Sequence, residues 1–314
     1  MSKRILANDG IESDGKLALE AAGFTVDTNK VDQSQLTEAL QNYEVLIVRS
    51  ATKVRKDLID ACPHLKIIAR GGVGMDNIDV DYAREKGITV INTPNASSRA
   101  VAELAMAHMY SLSRMLNQSN AQMPKEGADF NALKKKYSAG TQLYGKTLGI
   151  VGFGRIGQEL AKIAMGTGMN IIAVDPMISS VKLKLHLGGH DIALEIATSS
   201  MEDLLKNSDY ISLHVPSSEK PVLGVDEMQM MKKGACIINT ARGGVIDESA
   251  LLGALNSGHL GGAGLDAFLN EPTPDPSILN NSKVSVSPHI GGSTIESQAA
   301  IGLELAEKIK AAYK

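Results

Sequence analysis

Three side chains in the second half of the chain, Arg242, Glu271 and His289, could together carry out acid–base chemistry on an anionic molecule. An imidazole titrates near neutrality, so His289 could accept or release a proton. Glu271 could accept a hydrogen bond from the other ring nitrogen and stabilise the imidazolium. The guanidinium of Arg242 could bind a carboxylate through two hydrogen bonds. The set therefore indicates proton transfer on a molecule that carries a carboxylate.

Each of these residues also has a purely structural interpretation. A histidine after a proline, as in Pro288-His289, is more often structural, and Asn270-Glu271-Pro272 is a common turn sequence. A second histidine, His214, has no acidic residue or arginine near it in the sequence. We favour the functional interpretation because all three residues follow predicted strands of one sheet.

That sheet is predicted from apolar runs separated by helix patterns. Strands are expected at 147–151, 170–174, 210–215, 235–240, 262–265 and 283–287, and helices at 201–206, 227–231 and 248–256. Ligands of open parallel sheets bind outside the carboxyl ends of the strands. The side chains that follow these strands should therefore lie at one site.

A glycine-rich turn follows the first of these strands, with Gly152, Gly154 and Gly157 spaced as G-x-G-x-x-G. In a strand–turn–helix unit, the first glycine permits the tight turn and the second lets the backbone approach a pyrophosphate. The third lets helix and strand pack closely, and the helix N-terminus offers N–H groups to the phosphates. The pattern predicts dinucleotide binding. A structural turn is the alternative, disfavoured by the two flanking strands.

An acidic residue completes this pattern. Asp175 ends the second strand, 18 residues after Gly157, where its carboxylate could accept hydrogen bonds from a ribose diol. A carboxylate there repels a 2′-phosphate, and Pro176 supplies no compensating cation. We therefore predict NAD rather than NADP. A nicotinamide beside Arg242, Glu271 and His289 would suit hydride transfer at an alcohol carbon next to a carboxylate.

The first hundred residues predict a second sheet without this glycine pattern. Strands are expected at 4–8, 25–28, 45–48, 66–69 and 89–92, with helices at 14–22, 34–41, 56–61 and 80–86. Alternating strands and helices indicate a parallel sheet covered on both faces. The closing helix at 293–313 has no sheet left in the second part, so we expect it to pack on the first. The predicted domains are 1–98 with 288–314, for the substrate, and 99–287, for NAD.

Two arginines follow strands of the first sheet. Arg49 and Arg70, the latter before Gly71, Gly72 and Val73, could form a cationic wall for a carboxylate or phosphate. Asn95 follows the last strand of that sheet. The alternative is that both arginines are ordinary surface residues at strand ends. If the crevices of the two sheets face one another, these groups line one cleft.

Three other segments are less informative. An apolar helix at about 98–117 predicts burial between domains or subunits, and 118–140 predicts a loop with a short helical piece. Lys134, Lys135 and Lys136 in that loop indicate a solvated face. Segment 177–200 has no assigned structure or role.

Composition narrows the class of protein. The 314 residues are 43% hydrophobic and 21% charged, as in an ordinary globular protein of two domains. A net charge of -3 gives no reason to expect nucleic acid as a partner, and no apolar run approaches the roughly 20 residues of a membrane span. Cys62 and Cys236 indicate small buried residues rather than a disulfide framework or metal site, so we predict no metal and a cytosolic location.

Several motifs resemble those of the NAD-dependent D-2-hydroxyacid dehydrogenases over nearly the whole chain. They are 239–247 (NTARGGVID), 266–272 (DAFLNEP) and 288–293 (PHIGGS), with 48–54, 70–79 and 92–95 on the substrate side. The resemblance implies two doubly wound α/β domains, a Rossmann NAD-binding domain inserted in a flavodoxin-like substrate domain. It also implies that Arg242, Glu271 and His289 are catalytic, a homodimer built around the long helix, and a hinge motion.

The resemblance also implies further roles by position. Cofactor contacts fall on Arg155, Ile156, Asp175, Val215, Thr240, Ala241, Asp266, His289, Gly291 and Gly292, to which we add the strand-end residues His214, Pro216 and Arg242. Substrate contacts fall on Arg49, Ser50, Arg70, Gly72 and Val73, to which we add Gly71, Asn95, Arg242 and His289. Val73 stands where relatives often carry threonine, which puts a hydroxyl contact to the cofactor in doubt.

The substrate-side motifs resemble most closely the family members that oxidise 3-phosphoglycerate to 3-phosphohydroxypyruvate for serine biosynthesis. The alternatives are a glyoxylate or hydroxypyruvate reductase of the same family and, from another class, an NAD-sensing corepressor. Because the chain ends one helix after His289, we expect no C-terminal regulatory domain and no serine feedback through one.

Overall fold

The computed structural model describes residues 3–313, and its internal contacts divide the chain into two units. The first unit combines the described residues up to Ser98 with those from Gly292 onward. The second unit is the continuous segment Arg99–Gly291. We keep the division of roles, substrate for the first and cofactor for the second, as a proposal.

The first unit is built on a five-stranded parallel sheet in the order β2-β1-β3-β4-β5. This order is the flavodoxin-like one, so the predicted fold class is confirmed. Every residue of β3 is buried, because helices cover both faces of the sheet. The elements up to Asn92 are β1 Lys3–Ala7, α1 Ser13–Glu20, β2 Phe24–Asp27, α2 Leu36–Leu40, β3 Val45–Val48, α3 Lys56–Ala61, β4 Ile67–Arg70, α4 Val80–Glu85 and β5 Thr89–Asn92.

The second unit contains a six-stranded parallel sheet in the order β13-β12-β11-β10-β6-β7. This arrangement confirms the predicted Rossmann fold. The elements are α5 Ser98–Ser113, α6 Leu116–Gln122, α7 Phe130–Lys136, β6 Thr147–Val151, α8 Arg155–Gly166, β7 Asn170–Val174, β8 Ser180–Leu187, β9 His190–Ala197, α9 Met201–Asn207, β10 Tyr210–Leu213, α10 Val225–Met230, β11 Cys236–Asn239, α11 Glu248–Asn256, β12 Gly262–Leu265, α12 Pro276–Leu279 and β13 Val284–Val286.

The segment that the sequence left unassigned, 177–200, forms the antiparallel hairpin β8–β9. Leu183 and Leu185 of β8 are buried in the same core cluster as Leu160 of α8, whereas β9 is largely exposed. The segment then returns to the main sheet through a single parallel bridge between Ala173 and Thr198. The hairpin thus lies in the connection after β7, the strand that ends directly before Asp175.

The long apolar helix is shorter than predicted. α5 ends at Ser113, Met115 adopts a left-handed conformation with φ of 51°, and α6 starts a new helix at Leu116. The buried residues Ala102, Ala105, Met106 and Met109 of α5 pack in the core of the second unit with β6 and β11. Burial of this face is therefore explained within the unit, and the prediction of burial between domains or subunits was wrong for these side chains. Segment 118–140 contains most of α6 and all of α7, which is more helix than predicted.

The last helix, α13 Ile295–Ala312, packs on the first unit as predicted. Ile301, Leu305 and Ile309 are buried in one core cluster with strands β1, β3 and β4. The closest approach is to α1, where a Cβ added at Gly15 would lie 2.4 Å from the carbonyl oxygen of Gly302.

Both cysteines, Cys62 and Cys236, are buried and unpaired, as their sequence context indicated. None of the helices within residues 3–313 has the length and hydrophobicity needed to cross a lipid bilayer.

We expect Gly15→Ala to lower the free energy of unfolding by about 1–3 kcal/mol, because the added methyl forces α1 away from α13. Gly253→Ala on α11 is the matched control, since a Cβ there meets no atom within 4 Å. The control should be neutral or stabilise the protein by about 0.5–1 kcal/mol through helix propensity. Urea denaturation of the full chain measures both. Equal stability of Gly15→Ala and wild type would contradict the close packing of α1 on α13.

Candidate active site

The glycine turn between β6 and α8 has the geometry of a phosphate-binding turn. Gly152 has a φ of +91°, and a Cβ there would lie 2.4 Å from the carbonyl oxygen of His214. A Cβ at Gly157 would lie 2.3 Å from the carbonyl oxygen of Gly152. At Gly154 a Cβ would meet nothing within 4 Å, so open space adjoins the backbone where a pyrophosphate would approach. The turn therefore fits a dinucleotide.

Helix α8 starts directly after this turn, and its N-cap residue is Gly154, which provides no capping side chain. The first-turn N–H groups of an α-helix have no partner inside the helix, and the helix dipole places partial positive charge there. Arg155, at the first position, is exposed, and Ile156 is half-buried. This end of α8 can bind phosphate oxygens without any change in the backbone.

Asp175 lies beside the turn, as the sequence predicted. Its Oδ2 accepts a hydrogen bond from Phe153 N at 2.8 Å, and its Oδ1 accepts one from Met177 N at 2.9 Å. A carboxylate oxygen has more than one acceptor site, so both oxygens could also accept from ribose hydroxyls. The two backbone bonds hold the carboxylate at the strand end, next to the exposed Pro176.

His289 and Glu271 form a hydrogen-bonded pair in the second unit. His289 Nδ1 lies 2.8 Å from Glu271 Oε2, which leaves Nε2 as the ring nitrogen for a reacting molecule. The other Glu271 oxygen, Oε1, accepts from Phe268 N at 2.9 Å. The imidazole is 48% exposed. This pair can accept a proton at Nε2 while the carboxylate stabilises the imidazolium.

The loop that carries His289 is held by Asp266. His289 itself has a φ of 54°, a backbone conformation that residues other than glycine rarely adopt. Asp266 is buried, and its carboxylate accepts from Ile290 N and Gly291 N, each at 2.8 Å, and from the Ser287 hydroxyl at 2.6 Å. These three bonds flank His289 on both sides. The predicted cofactor contact of Asp266 stays a prediction.

Arg242 follows β11 in a loop stabilised by Asn239. The Asn239 side chain donates to Arg242 O at 2.8 Å and accepts from Ala241 N at 3.0 Å, while Arg242 Nη1 donates to Ala241 O at 2.7 Å. A Cβ at Gly243 would lie 1.9 Å from Phe268 O. The loops that carry Arg242 and Glu271 are therefore in direct contact.

Glu248, at the start of α11, joins the same two loops. Its Oε1 accepts from Leu269 N at 2.7 Å, two residues before Glu271. Burial, together with the negative charges of Asp275 and Glu271, raises the pKa of Glu248, although the bond from Leu269 opposes this rise. The half-buried carboxyl group of Glu248 thus supports the Glu271 loop.

The structure separates the roles of the two histidines. Burial lowers the pKa of His214 to about 3, and its Nε2 is bonded to the Ser212 hydroxyl at 2.9 Å. His214 is therefore neutral near pH 7 and cannot exchange a proton there. Its carbonyl oxygen shapes the glycine turn at Gly152. His289 remains the candidate for proton transfer.

In the first unit, Arg49 is held at the end of β3. Its backbone N donates to Asp9 Oδ2 at 2.7 Å, and its guanidinium Nη2 donates to Oε1 of Gln298. The Gln298 amide in turn donates to Gly292 O at 2.8 Å. Because the side-chain amide of Gln298 is neutral, this contact orients the guanidinium without cancelling its charge.

The loop after β4 brings Arg70 next to a constrained glycine. Gly72 has a φ of +139°, and a Cβ there would overlap Arg70 Nη1 at 1.5 Å. Gly72 N donates to the buried Thr93 hydroxyl at 2.7 Å, and Val73 O accepts from Asn92 at 2.8 Å. Only glycine permits this position of the arginine, so the loop and Arg70 form one local structure.

The remaining predicted residues are placed as follows. Ser50, Asn95 and Pro216 are exposed, Val215 and Gly292 are half-buried, and Gly71, Thr240, Ala241 and Gly291 are buried. Sequence reasoning missed three residues that position the site. Asn239 could have been found from its place between a buried strand and a loop, as in an Asx turn. Gln298 and Glu248 carry no such local signal.

Comparison with known proteins shows a consistent set of relatives. Residues 106–291 match the family model described as D-isomer specific 2-hydroxyacid dehydrogenase, NAD binding domain. The chain is 43% identical over 312 residues to a hydroxypyruvate reductase of Thermotoga maritima, covering 98% of this chain and 97% of that protein. It is 41% identical to a D-3-phosphoglycerate dehydrogenase of Methanocaldococcus jannaschii, covering 98% of this chain but only 57% of that protein's length.

A solved structure with the same fold is a glyoxylate reductase from Paecilomyes thermophila. It has a TM-score of 0.84 and 30% sequence identity, and it covers 100% of this chain and 96% of that one.

We expect His214 to make stability pH-dependent. Its folded pKa of about 3 lies below the unfolded value of about 6.5. The neutral buried form therefore contributes stability above about pH 6.5 that is lost as the pH falls towards about 3. Between pH 7 and pH 5, wild type should lose about 2 kcal/mol more than His214→Gln, which does not titrate. Urea denaturation across this range measures the difference, and parallel profiles would show that native His214 takes up its proton.

Proposed function

Because the chain belongs to the D-isomer specific 2-hydroxyacid dehydrogenase family, we propose that it oxidises 3-phospho-D-glycerate to 3-phosphohydroxypyruvate with NAD. The main support for this chemistry is the hydrogen bond of 2.8 Å between His289 Nδ1 and Glu271 Oε2. In this proposal the enzyme is cytosolic and supplies the first intermediate of phosphorylated serine biosynthesis.

The acid–base step belongs to His289. Its Nε2 accepts the proton of the C2 hydroxyl, and Glu271 stabilises the imidazolium that results. In the reverse direction, the imidazolium returns the proton to the carbonyl oxygen. The hydrogen bonds that Asp266 accepts from Ile290 N and Gly291 N keep the ring in place in both directions of the reaction. The bound nicotinamide supplies the hydride acceptor.

Arg242 holds the substrate in this proposal. Its guanidinium binds the carboxylate and polarises the reacting oxygen, while Asn239 fixes the loop. Contact between Gly243 and Phe268 joins this loop to the one with Glu271. Substrate orientation and proton transfer are therefore set by adjacent strand ends of a single sheet.

The cofactor is a nicotinamide dinucleotide, as the family defines. We propose that the glycine turn and the start of α8 bind its pyrophosphate, and that Asp175 binds the ribose diol. The support is the fixed carboxylate of Asp175, which accepts from Phe153 N and Met177 N. A 2′-phosphate at that position would meet this negative charge, which favours NAD over NADP.

The choice of a phosphorylated substrate rests on Arg49 and Arg70. Arg49 follows β3 and Arg70 ends β4 in the first unit, and the Arg49 guanidinium is oriented by the neutral amide of Gln298. Planar guanidinium groups bind phosphate through paired hydrogen bonds. We propose that these arginines bind the phosphate, with Ser50, Gly72, Val73 and Asn95 lining the same loops.

A second candidate is a hydroxypyruvate reductase that acts on the unphosphorylated acid. It is favoured by the Thermotoga maritima relative, which is 43% identical and matches over 97% of its own length. The pair His289–Glu271 and Arg242 would act in the same way. Only the use of Arg49 and Arg70 differs between the two candidates.

We also propose a homodimer. The supporting observation is a set of large apolar side chains that remain exposed on and after α5, namely Tyr110, Leu116, Met123, Phe130 and Tyr144. Exposed apolar side chains of this size favour a protein–protein contact.

The test is a spectrophotometric assay of NADH oxidation with 3-phosphohydroxypyruvate and with hydroxypyruvate. We expect a higher kcat/KM for the phosphorylated acid, and Arg49→Gln should lower that value by about 10- to 100-fold, since a charged hydrogen bond contributes about 1.5–3 kcal/mol. The value for hydroxypyruvate should change little. Arg84→Gln, an exposed arginine on α4, is the matched control.

A preference for hydroxypyruvate that Arg49→Gln leaves unchanged would contradict the phosphorylated substrate and support the second candidate. Absence of NADH oxidation with any 2-oxo acid would contradict both.

A further inference from the structure

A buried histidine of helix α5, His108, contacts the base of the loop that carries His289. Its Nδ1 lies 2.9 Å from the Ser285 hydroxyl and its Nε2 lies 3.0 Å from the Ser287 hydroxyl. A Cβ at Gly264 of β12 would lie 2.6 Å from the His108 Cβ. The glycine therefore leaves room for the imidazole against the sheet.

The acceptor chemistry of Asp266 sets the direction of these bonds. An ionised carboxylate accepts only, so the single proton of the Ser287 hydroxyl points to Asp266 Oδ1 at 2.6 Å. Ser287 Oγ then accepts from His108, which must carry its proton on Nε2. Nδ1 consequently accepts the single proton of the Ser285 hydroxyl, and in the longer contact of 3.4 Å between the Ser285 and Ser111 hydroxyls the donor is then Ser111. Burial lowers the pKa of His108, whereas the negative charge of Asp266 acts to raise it. The net lowering of the pKa favours this neutral form.

The chain of bonds ends at the backbone on either side of His289. His108 donates to Ser287, Ser287 donates to Asp266, and Asp266 accepts from Ile290 N and Gly291 N. Ser287 and Ile290 lie two residues before and one residue after His289 in the sequence. Each bond in this chain restricts the loop that holds His289 at its positive φ.

We propose that His108 is a positioning residue for the reaction, acting through Ser287 and Asp266 to hold His289 in its reactive orientation. The inference rests on the proposed role of His289 as acid and base. Without the donor at Nε2, the Ser287 hydroxyl loses the bond that fixes its oxygen, and the Asp266 carboxylate loses a fixed partner.

The expected consequence is a loss in turnover rather than in binding. Misplacement of a catalytic group by about 1 Å can cost up to about 100-fold in rate. We expect His108→Met, which removes both bonds, to lower kcat by about 10-fold. KM for the 2-oxo acid and the dissociation constant for NADH should stay within about twofold of wild type, since His108 lies in neither proposed binding set.

Two conservative variants distinguish positioning from packing. The amide nitrogen of glutamine can replace Nε2, so His108→Gln keeps the bond to Ser287. Asparagine reaches only the position of Nδ1, so His108→Asn keeps the bond to Ser285 alone. We expect kcat near wild type for His108→Gln and near His108→Met for His108→Asn. Thermal unfolding midpoints of all variants measure the packing contribution separately.

A double variant tests the route. If His108 acts through Ser287, kcat of His108→Met with Ser287→Ala should equal that of Ser287→Ala alone. Equal kcat for wild type, His108→Asn and His108→Met would overturn the proposal. Losses of kcat that parallel the losses in unfolding midpoint, with no recovery of kcat in His108→Gln, would also overturn it. Fully multiplicative losses of kcat in the double variant would overturn it as well. If wild type itself turns over no 2-oxo acid while still binding NADH, the proposed function has failed, and this inference with it.

Discussion

The carboxylate of Asp266 is the constraint on which the candidate site depends. It is buried at the carboxyl end of β12 and accepts three hydrogen bonds from residues 287–291. Because a buried charge is costly unless it is fully hydrogen-bonded, these three bonds favour the observed arrangement of the loop. That arrangement holds His289 in a left-handed conformation and directs its ring at Glu271.

The parallel sheet supplies the other half of this arrangement. Strands β11, β12 and β13 are neighbours, so the loops after their carboxyl ends are adjacent. Arg242, Glu271 and His289 come from three such loops, and Gly243 lets two of them touch. The dinucleotide turn follows β6 in the same sheet, at the same edge. In the proposed function, binding and proton transfer therefore depend on loops that one sheet places side by side.

Much of this could be predicted from the sequence because the signals are local. Apolar periodicity predicted both sheets, the glycine spacing predicted the turn, and the places of Glu271 and His289 after predicted strands of one sheet predicted the pair. The rest depends on tertiary contacts. The break at Met115 and the hairpin over 180–197 follow from packing that no short motif encodes. Gln298, Glu248 and His108 act through residues distant in the sequence, so their roles appeared only in the structure.

The central claim is that His289 exchanges the proton of the reaction, and the kcat of His289→Ala tests it most directly. The account predicts a fall in kcat of about 10²- to 10⁴-fold. His186→Ala, on the exposed hairpin, should turn over as wild type does. A His289→Ala variant with the wild-type kcat would contradict the claim.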